Sequence, residues 1–201
     1  MFWDQTAAVY DWFAEGYNRK VNGALRDAVA ARVGPEDAVL DCACGTGMLA
    51  VGLAPRCRSL TASDLSAPML TRTRRKCAAF SNVTFRQADI LDLPFPDGSF
   101  DVVVAANVLH LLEDPVRALA ELDRVCRPGG RLLLPTYVNR RSGGGTGGLI
   151  RLLDRAGADF RRQFTAESYR AFLAEAGYPD TAVTVFPGRV PCALAEARAR
   201  G

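Results

Sequence analysis

The sequence predicts an α/β sandwich, a mostly parallel sheet covered by helices on both faces and closed by an antiparallel hairpin at its carboxyl end. Two observations predict this class. Short apolar runs at residues 39–40, 59–63, 83–86, 100–106 and 131–137 alternate with stretches of helical spacing, the pattern of repeated strand–helix units. The last twenty residues then change character: residues 181–186, Pro187-Gly188 and residues 190–197 read as strand, turn, strand.

Taken in order, residues 4–33 carry two helical patterns, a helical extension over 1–33. The first is rich in aromatics, with Trp3, Tyr10, Trp12, Phe13 and Tyr17, which either pack the extension onto the sheet or wall an apolar pocket. Gly34-Pro35 is a turn, and Val39-Leu40 ends a buried strand closed by Asp41. Small residues come next, Ala43, Gly45, Thr46 and Gly47, and then Met48, Leu49, Val51 and Leu53 at helical spacing, stopping at Pro55. A second strand ends at Asp64, and Ser66 with Pro68 opens a helix with a basic outer face, Arg72, Arg74, Arg75 and Lys76. The third strand leads to Ala88-Asp89-Ile90, where Asp89 suits a turn cap. After the fourth strand, Asp114-Pro115 starts a helix that stops at Arg127-Pro128-Gly129-Gly130, ahead of the fifth strand at 131–137. Residues 139–148 are glycine-rich, 149–164 read as an inserted helix, and 138–164 together form a candidate lid. Thr165 and Ser168 begin the last helix, ending at Gly177.

Composition sets bounds. The 201 residues suit a single domain spanning 1–201, and 49% apolar with 23% charged residues describes an ordinary globular protein. The formal net charge is only +3 and no basic stripe is interleaved with aromatics, so no nucleic-acid partner is expected. The six cysteines form no C-x-x-C pair and read as free thiols, and with a single histidine no metal site is expected. There is neither a secretory pattern at the amino terminus nor an apolar run long enough to span a bilayer, which gives a cytoplasmic reading, as monomer or homodimer.

The chemistry centres on residues 38–50. Gly45-x-Gly47-x-x-Ala50 fits a dinucleotide fingerprint, with Asp64 near the spacing at which an acid meets a ribose, so an NAD-dependent oxidoreductase is one reading. Asp41 argues against it, because a carboxylate at the mouth of the turn repels a diphosphate and attracts a cation. Asp41-Cys42-Ala43-Cys44-Gly45-Thr46-Gly47 resembles motif I of the class I S-adenosylmethionine-dependent methyltransferases, acidic-x-Gly-x-Gly-x-Gly, with Ala43 in place of the first glycine. A methyl group is tolerated there if φ is negative.

That resemblance implies a Rossmann-like three-layer sandwich on a seven-stranded sheet, and S-adenosyl-L-methionine as cofactor. It implies that Asp64, which otherwise would only cap the next helix, accepts the ribose hydroxyls, that Leu65 touches the adenine, and that Asp89 and the Ile90 N–H reach the adenine edge. Ala14-x-x-Tyr17-Asn18 resembles a segment of quinone-biosynthesis methyltransferases whose tyrosine covers the methionine end of the cofactor. Phe100-Asp101-Val102-Val103 with the segment Asn107–Pro115 resembles the family's fourth strand and the loop and helix start after it, near which the methyl group lies. Asn107 joins the cofactor set on this ground. The sole histidine, His110, is a candidate base for a hydroxyl or carbon acceptor, or else a hydrogen-bonded structural residue. The implied function is methylation of a small, apolar or aromatic molecule. A non-catalytic cofactor-binding protein is the remaining alternative.

Overall fold

The computed structural model describes residues 16–139 and 162–200. Helix α1 spans Arg19–Ala30, strand β1 Ala38–Cys42, helix α2 Ala50–Leu53, strand β2 Ser59–Asp64 and helix α3 Ala67–Lys76. Strands β3 and β4 span Val83–Gln87 and Phe100–Ala105, helix α4 Pro115–Val125 and strand β5 Cys126–Tyr137. Helix α5 (Ala166–Glu175) and strands β6 (Ala182–Phe186) and β7 (Cys192–Arg198) complete the chain.

The strands form one seven-stranded sheet in the order β3-β2-β1-β4-β5-β7-β6. β1 to β5 run parallel, whereas β7 is antiparallel to both β5 and β6. The order reverses between β1 and β4, and in open α/β sheets that switch point opens a crevice beyond the carboxyl ends of the strands.

The period-two rule sorts the strand side chains onto two faces. Leu40, Val103, Leu132 and Leu134 face the layer of α4 and α5, where Leu119, Leu122, Tyr169 and Leu173 are buried. Val39, Val102, Val104 and Leu133 face Leu25, Val29 and Leu53 of α1 and α2. Central strands buried on both faces must be apolar throughout, which is why β4 reads as an unbroken run. Tyr169, fully buried, can stay there because its hydroxyl donates to the Leu134 carbonyl at 3.0 Å.

Element ends are set by their caps. The Ser66 hydroxyl accepts from Met69 N and Asp114 from Arg117 N, while Thr165 and Ser168 form a reciprocal capping box. One stop signal is read differently by the structure: α4 ends at Val125, and Arg127-Pro128-Gly129-Gly130 lies inside β5. Gly129 takes φ +71° there, and the register with β4 shifts between Phe100 and Val102, so the glycines make an irregular strand start. Residues 162–164 are not helical, and Phe164 makes an isolated parallel bridge to Val138. The rest of the inserted helix and the aromatic pattern before Gly16 lie outside the described residues.

Candidate functional site

Three positions between β1 and α2 have positive φ: Ala43 at +54°, Gly45 at +56° and Gly47 at +84°. The negative φ anticipated for Ala43 is therefore corrected. An L-residue in that region crowds its Cβ against the neighbouring carbonyl at a cost of roughly 1–2 kcal/mol, and the turn is held regardless. What holds it is a set of local bonds. Cys44 N donates to the Ser63 carbonyl at 2.9 Å, Gly47 N to the Cys44 carbonyl at 3.0 Å, and Gly45 N to Asp64 Oδ2 at 2.8 Å. From below, the buried Thr73 hydroxyl of α3 donates to the Gly45 carbonyl at 2.8 Å. Thr73 also explains the glycine at 47, since a Cβ there would meet Thr73 Cγ2 at 2.9 Å and Thr73 Cα at 3.2 Å.

Asp64 is thus a structural tie as well as a strand-tip carboxylate: Oδ2 takes the Gly45 N–H, and Oδ1 takes the Ser66 N–H at 2.9 Å. A carboxylate oxygen has two lone-pair directions, so each of these can serve a ligand as well. Asp41, on the adjoining strand, is 1% exposed and its Oδ2 has no partner among the described residues. Burial first, and then the neighbouring Asp64 charge, push its carboxyl up to about 7, against the opposing effect of a hydrogen bond from the Ala50 backbone.

A cleft of about 220 Å³ opens at the strand tips. Its β1–β3 side is lined by Ala43, Gly45, Asp64, Leu65, Asp89 and Ile90, and its β4 side by Asn107, Val108, Leu111 and Leu112. Leu65 is 43% exposed, an apolar side chain that burial has not claimed. Asp89 Oδ1 accepts from Leu91 N at 2.9 Å, so the same aspartate caps its turn and lines the cleft. Asn107, like Ala43, has φ +54°, and its N–H is anchored on the Pro135 carbonyl at 2.7 Å.

Seven sequence-predicted residues therefore line one cleft, and four do not. Asp41 lies buried beside it, and Gly47 packs on Thr73. Tyr17 lines a separate depression with Asn18, Arg19, Pro187 and Arg189, the Arg189 guanidinium lying 5.1 Å over its ring. His110 sits in a short 3-10 turn, Leu109–Leu111, with its ring buried and Nδ1 3.1 Å from the Thr136 hydroxyl on β5. Burial lowers its pKa to about 4, so the ring is neutral at pH 7.

Sequence reasoning missed Thr73, Met69, Ala88 and Ala106. The one available signal was spacing: Met69 and Thr73 lie four residues apart, on the face of α3 turned to the glycine turn. Among the described residues no group of three or more His, Cys, Asp or Glu could hold a metal ion, and no helix is long and apolar enough to cross a membrane.

Comparison with known proteins places this geometry. Residues 40–134 match a family model described as a methyltransferase domain. A demethylmenaquinone methyltransferase from Clavibacter sepedonicus is 36% identical over 140 residues, 65% of this chain and 57% of that protein. The 27-O-demethylrifamycin SV methyltransferase of Amycolatopsis mediterranei is 29% identical over 195 residues, 92% of this chain and 67% of that protein. The chain spans about half the length of most of the curated relatives it matches. Among solved structures, magnesium protoporphyrin IX methyltransferase from Synechocystis PCC 6803 with bound S-adenosylhomocysteine has the same fold, with a TM-score of 0.65 and 23% identity over 92% of this chain and 84% of that one.

Proposed function

We propose that the chain, whose residues 40–134 match a methyltransferase-domain model, is a class I S-adenosylmethionine-dependent methyltransferase that transfers a methyl group from S-adenosylmethionine to a small, largely apolar or aromatic molecule. When bound, that cofactor supplies an electrophilic methyl group on a sulfonium. One observation carries the reading: two carboxylates at neighbouring strand tips, one with a buried oxygen that has no partner among the described residues. A diphosphate would meet like charge there, whereas a cationic ligand relieves the cost of ionising Asp41.

The residues present fit the cofactor. Asp64 would accept the ribose hydroxyls, and Leu65, Ala88, Asp89 and Ile90 would surround the adenine. Asp41 would sit nearest the positive end, with Ala43 and Gly45 bringing backbone close to the ligand. This order along the sheet leaves the β4 side of the cleft for the reacting end. There Val108, Leu111 and Leu112 exclude water and hold an apolar acceptor in line, which removes several kcal/mol of barrier by orientation alone. His110, neutral and bonded to Thr136, would orient the wall behind this region, and its candidacy as a base rests on reaching the acceptor through a change in its present hydrogen bond.

Calorimetric titration with S-adenosylmethionine, S-adenosylhomocysteine and NAD tests the proposal. Micromolar-range binding of the first two with none of the third is the expected result. Binding of NAD instead would move the chain to the oxidoreductase reading, and binding of the methyl donor with no turnover of any acceptor would leave a non-catalytic binder.

A further inference from the structure

Asn107 is 7% exposed, yet neither its amide nitrogen nor its amide oxygen has a hydrogen-bond partner among the described residues. Buried side-chain amides are almost always satisfied, and leaving both ends empty costs far more than replacing the residue by an apolar one. The backbone adds a second cost, since φ is +54° in a turn pinned to Pro135. Unsatisfied groups and strained backbone coincide where a ligand supplies the missing partner. The cleft wall around Asn107 is otherwise apolar, with Ala106, Val108, Leu111 and Leu112, so Asn107 has the one hydrogen-bonding side chain among the described lining residues on the β4 side, its two amide atoms themselves closed to solvent.

Resting on the methyl-transfer reading, we infer that Asn107 selects the methyl acceptor by exchanging hydrogen bonds with a hydroxyl group on it. Position separates this from a role in holding the donor. The donor's ammonium and sulfonium are cations, and Asp41 is the carboxylate placed to meet them, whereas Asn107 lies on the β4 side among the apolar residues proposed to hold the acceptor. A carboxylate could use the N–H end alone and would leave the carbonyl end empty. A hydroxyl both gives and takes, and satisfies the two ends together. A site built this way discriminates strongly against an analogue that lacks the group, because the protein's own buried amide is then left unpaired.

The test compares 1-naphthol with 1-methylnaphthalene, a matched pair in which a methyl replaces the hydroxyl, each titrated into the full chain saturated with S-adenosylhomocysteine. The wild-type protein should bind the naphthol at least about tenfold more tightly, the equivalent of one buried hydrogen bond. Asn107→Gly, which suits a positive φ, and Asn107→Leu, which keeps the volume, should each bring the two ligands to within about twofold while leaving affinity for S-adenosylhomocysteine within about twofold. Either variant suffices if the other does not fold, as judged by thermal melting. The inference is overturned if the wild type shows no preference, if a folded variant keeps the preference, or if a folded variant loses S-adenosylhomocysteine affinity tenfold, which would assign Asn107 to the donor. Failure of the wild type to bind S-adenosylhomocysteine at all would instead overturn the methyl-transfer reading beneath it.

Discussion

On the β2 side of the cleft the polar side chains at its wall answer to neighbours close in the fold, Asp64 to Gly45 and Ser66, Thr73 to Gly45 and Asp89 to Leu91, and the exception is Asp41 Oδ2, buried behind them. On the β4 side the polar groups are few and answer to distant chain or to nothing, His110 to Thr136 on the next strand and Asn107 to no described side chain or backbone group. The first side is a rigid seat assembled before any ligand arrives. The second is incomplete in itself. A seat of the first kind suits a molecule that is the same in every turnover, and a wall of the second kind suits one that must be told apart from others.

The comparison can be broken from its rigid side first. Asp64→Ala removes both the proposed seat for the ribose and two backbone ties, so donor affinity should fall by about 100-fold or more in calorimetry, with a lowered melting temperature. Retention of affinity within threefold would show that the cleft seats something else. Gly47→Ala forces a Cβ against Thr73 at a φ that disfavours it, and should cost about 2 kcal/mol, a fall of several degrees in melting temperature.

The pH dependence is sharper because two buried groups oppose each other. Asp41 is raised to about 7, so between the unfolded value near 4 and 7 the folded state holds the extra proton, and its contribution to stability declines as pH rises. His110 is lowered to about 4, so between 4 and 6.5 the unfolded state holds the extra proton, and its contribution grows as pH rises. The two trends offset each other below pH 6.5. Asp41→Asn should leave a melting temperature that climbs with pH over that window, and an unchanged profile would remove Asp41 from the account. The proposed role of Asp41 at the positive end of the donor requires its anion, so affinity should weaken below pH 7 by up to about tenfold per unit, and Asp41→Asn should flatten that slope.

The smallest expected effect is at Ala43. Glycine there relieves φ +54° but loosens the unfolded chain, leaving a net gain of about 0–1 kcal/mol in urea unfolding. A clear loss would mean that the alanine methyl group has a packing role.

The same division decided what could be read from sequence. The glycine turn, Asp41, Asp64 and the strands that carry them were legible because their causes are local: a tight turn requires small residues, and a strand buried on both faces requires an unbroken apolar run. Even there Ala43 misled, since the cost of positive φ at a residue with a Cβ is met by bonds from Asp64 and Thr73 that no spacing in the first strand reveals. The glycines at 129 and 130 were read as a helix stop, and the helix does end at Val125, but that they also lie inside β5 was not legible, because Gly130 sits where a Cβ would meet Cys126 Sγ at 2.6 Å and the Asp101 carbonyl at 2.9 Å, a demand of sheet register. Nor could sequence say that Tyr17 faces Arg189 and Pro187 across a different depression, or that His110 turns to Thr136. Those placements depend on which strand lies beside which.

All six thiols lie at or below 8% exposure, spread over both packing layers and the turn beneath the cleft. Electrophiles in solution therefore find no sulfur to attack while the chain stays folded. An aromatic disulfide reagent that releases a coloured leaving group would act as a clock for transient opening, and the order in which the sulfurs surrender would map which part of the architecture breathes first.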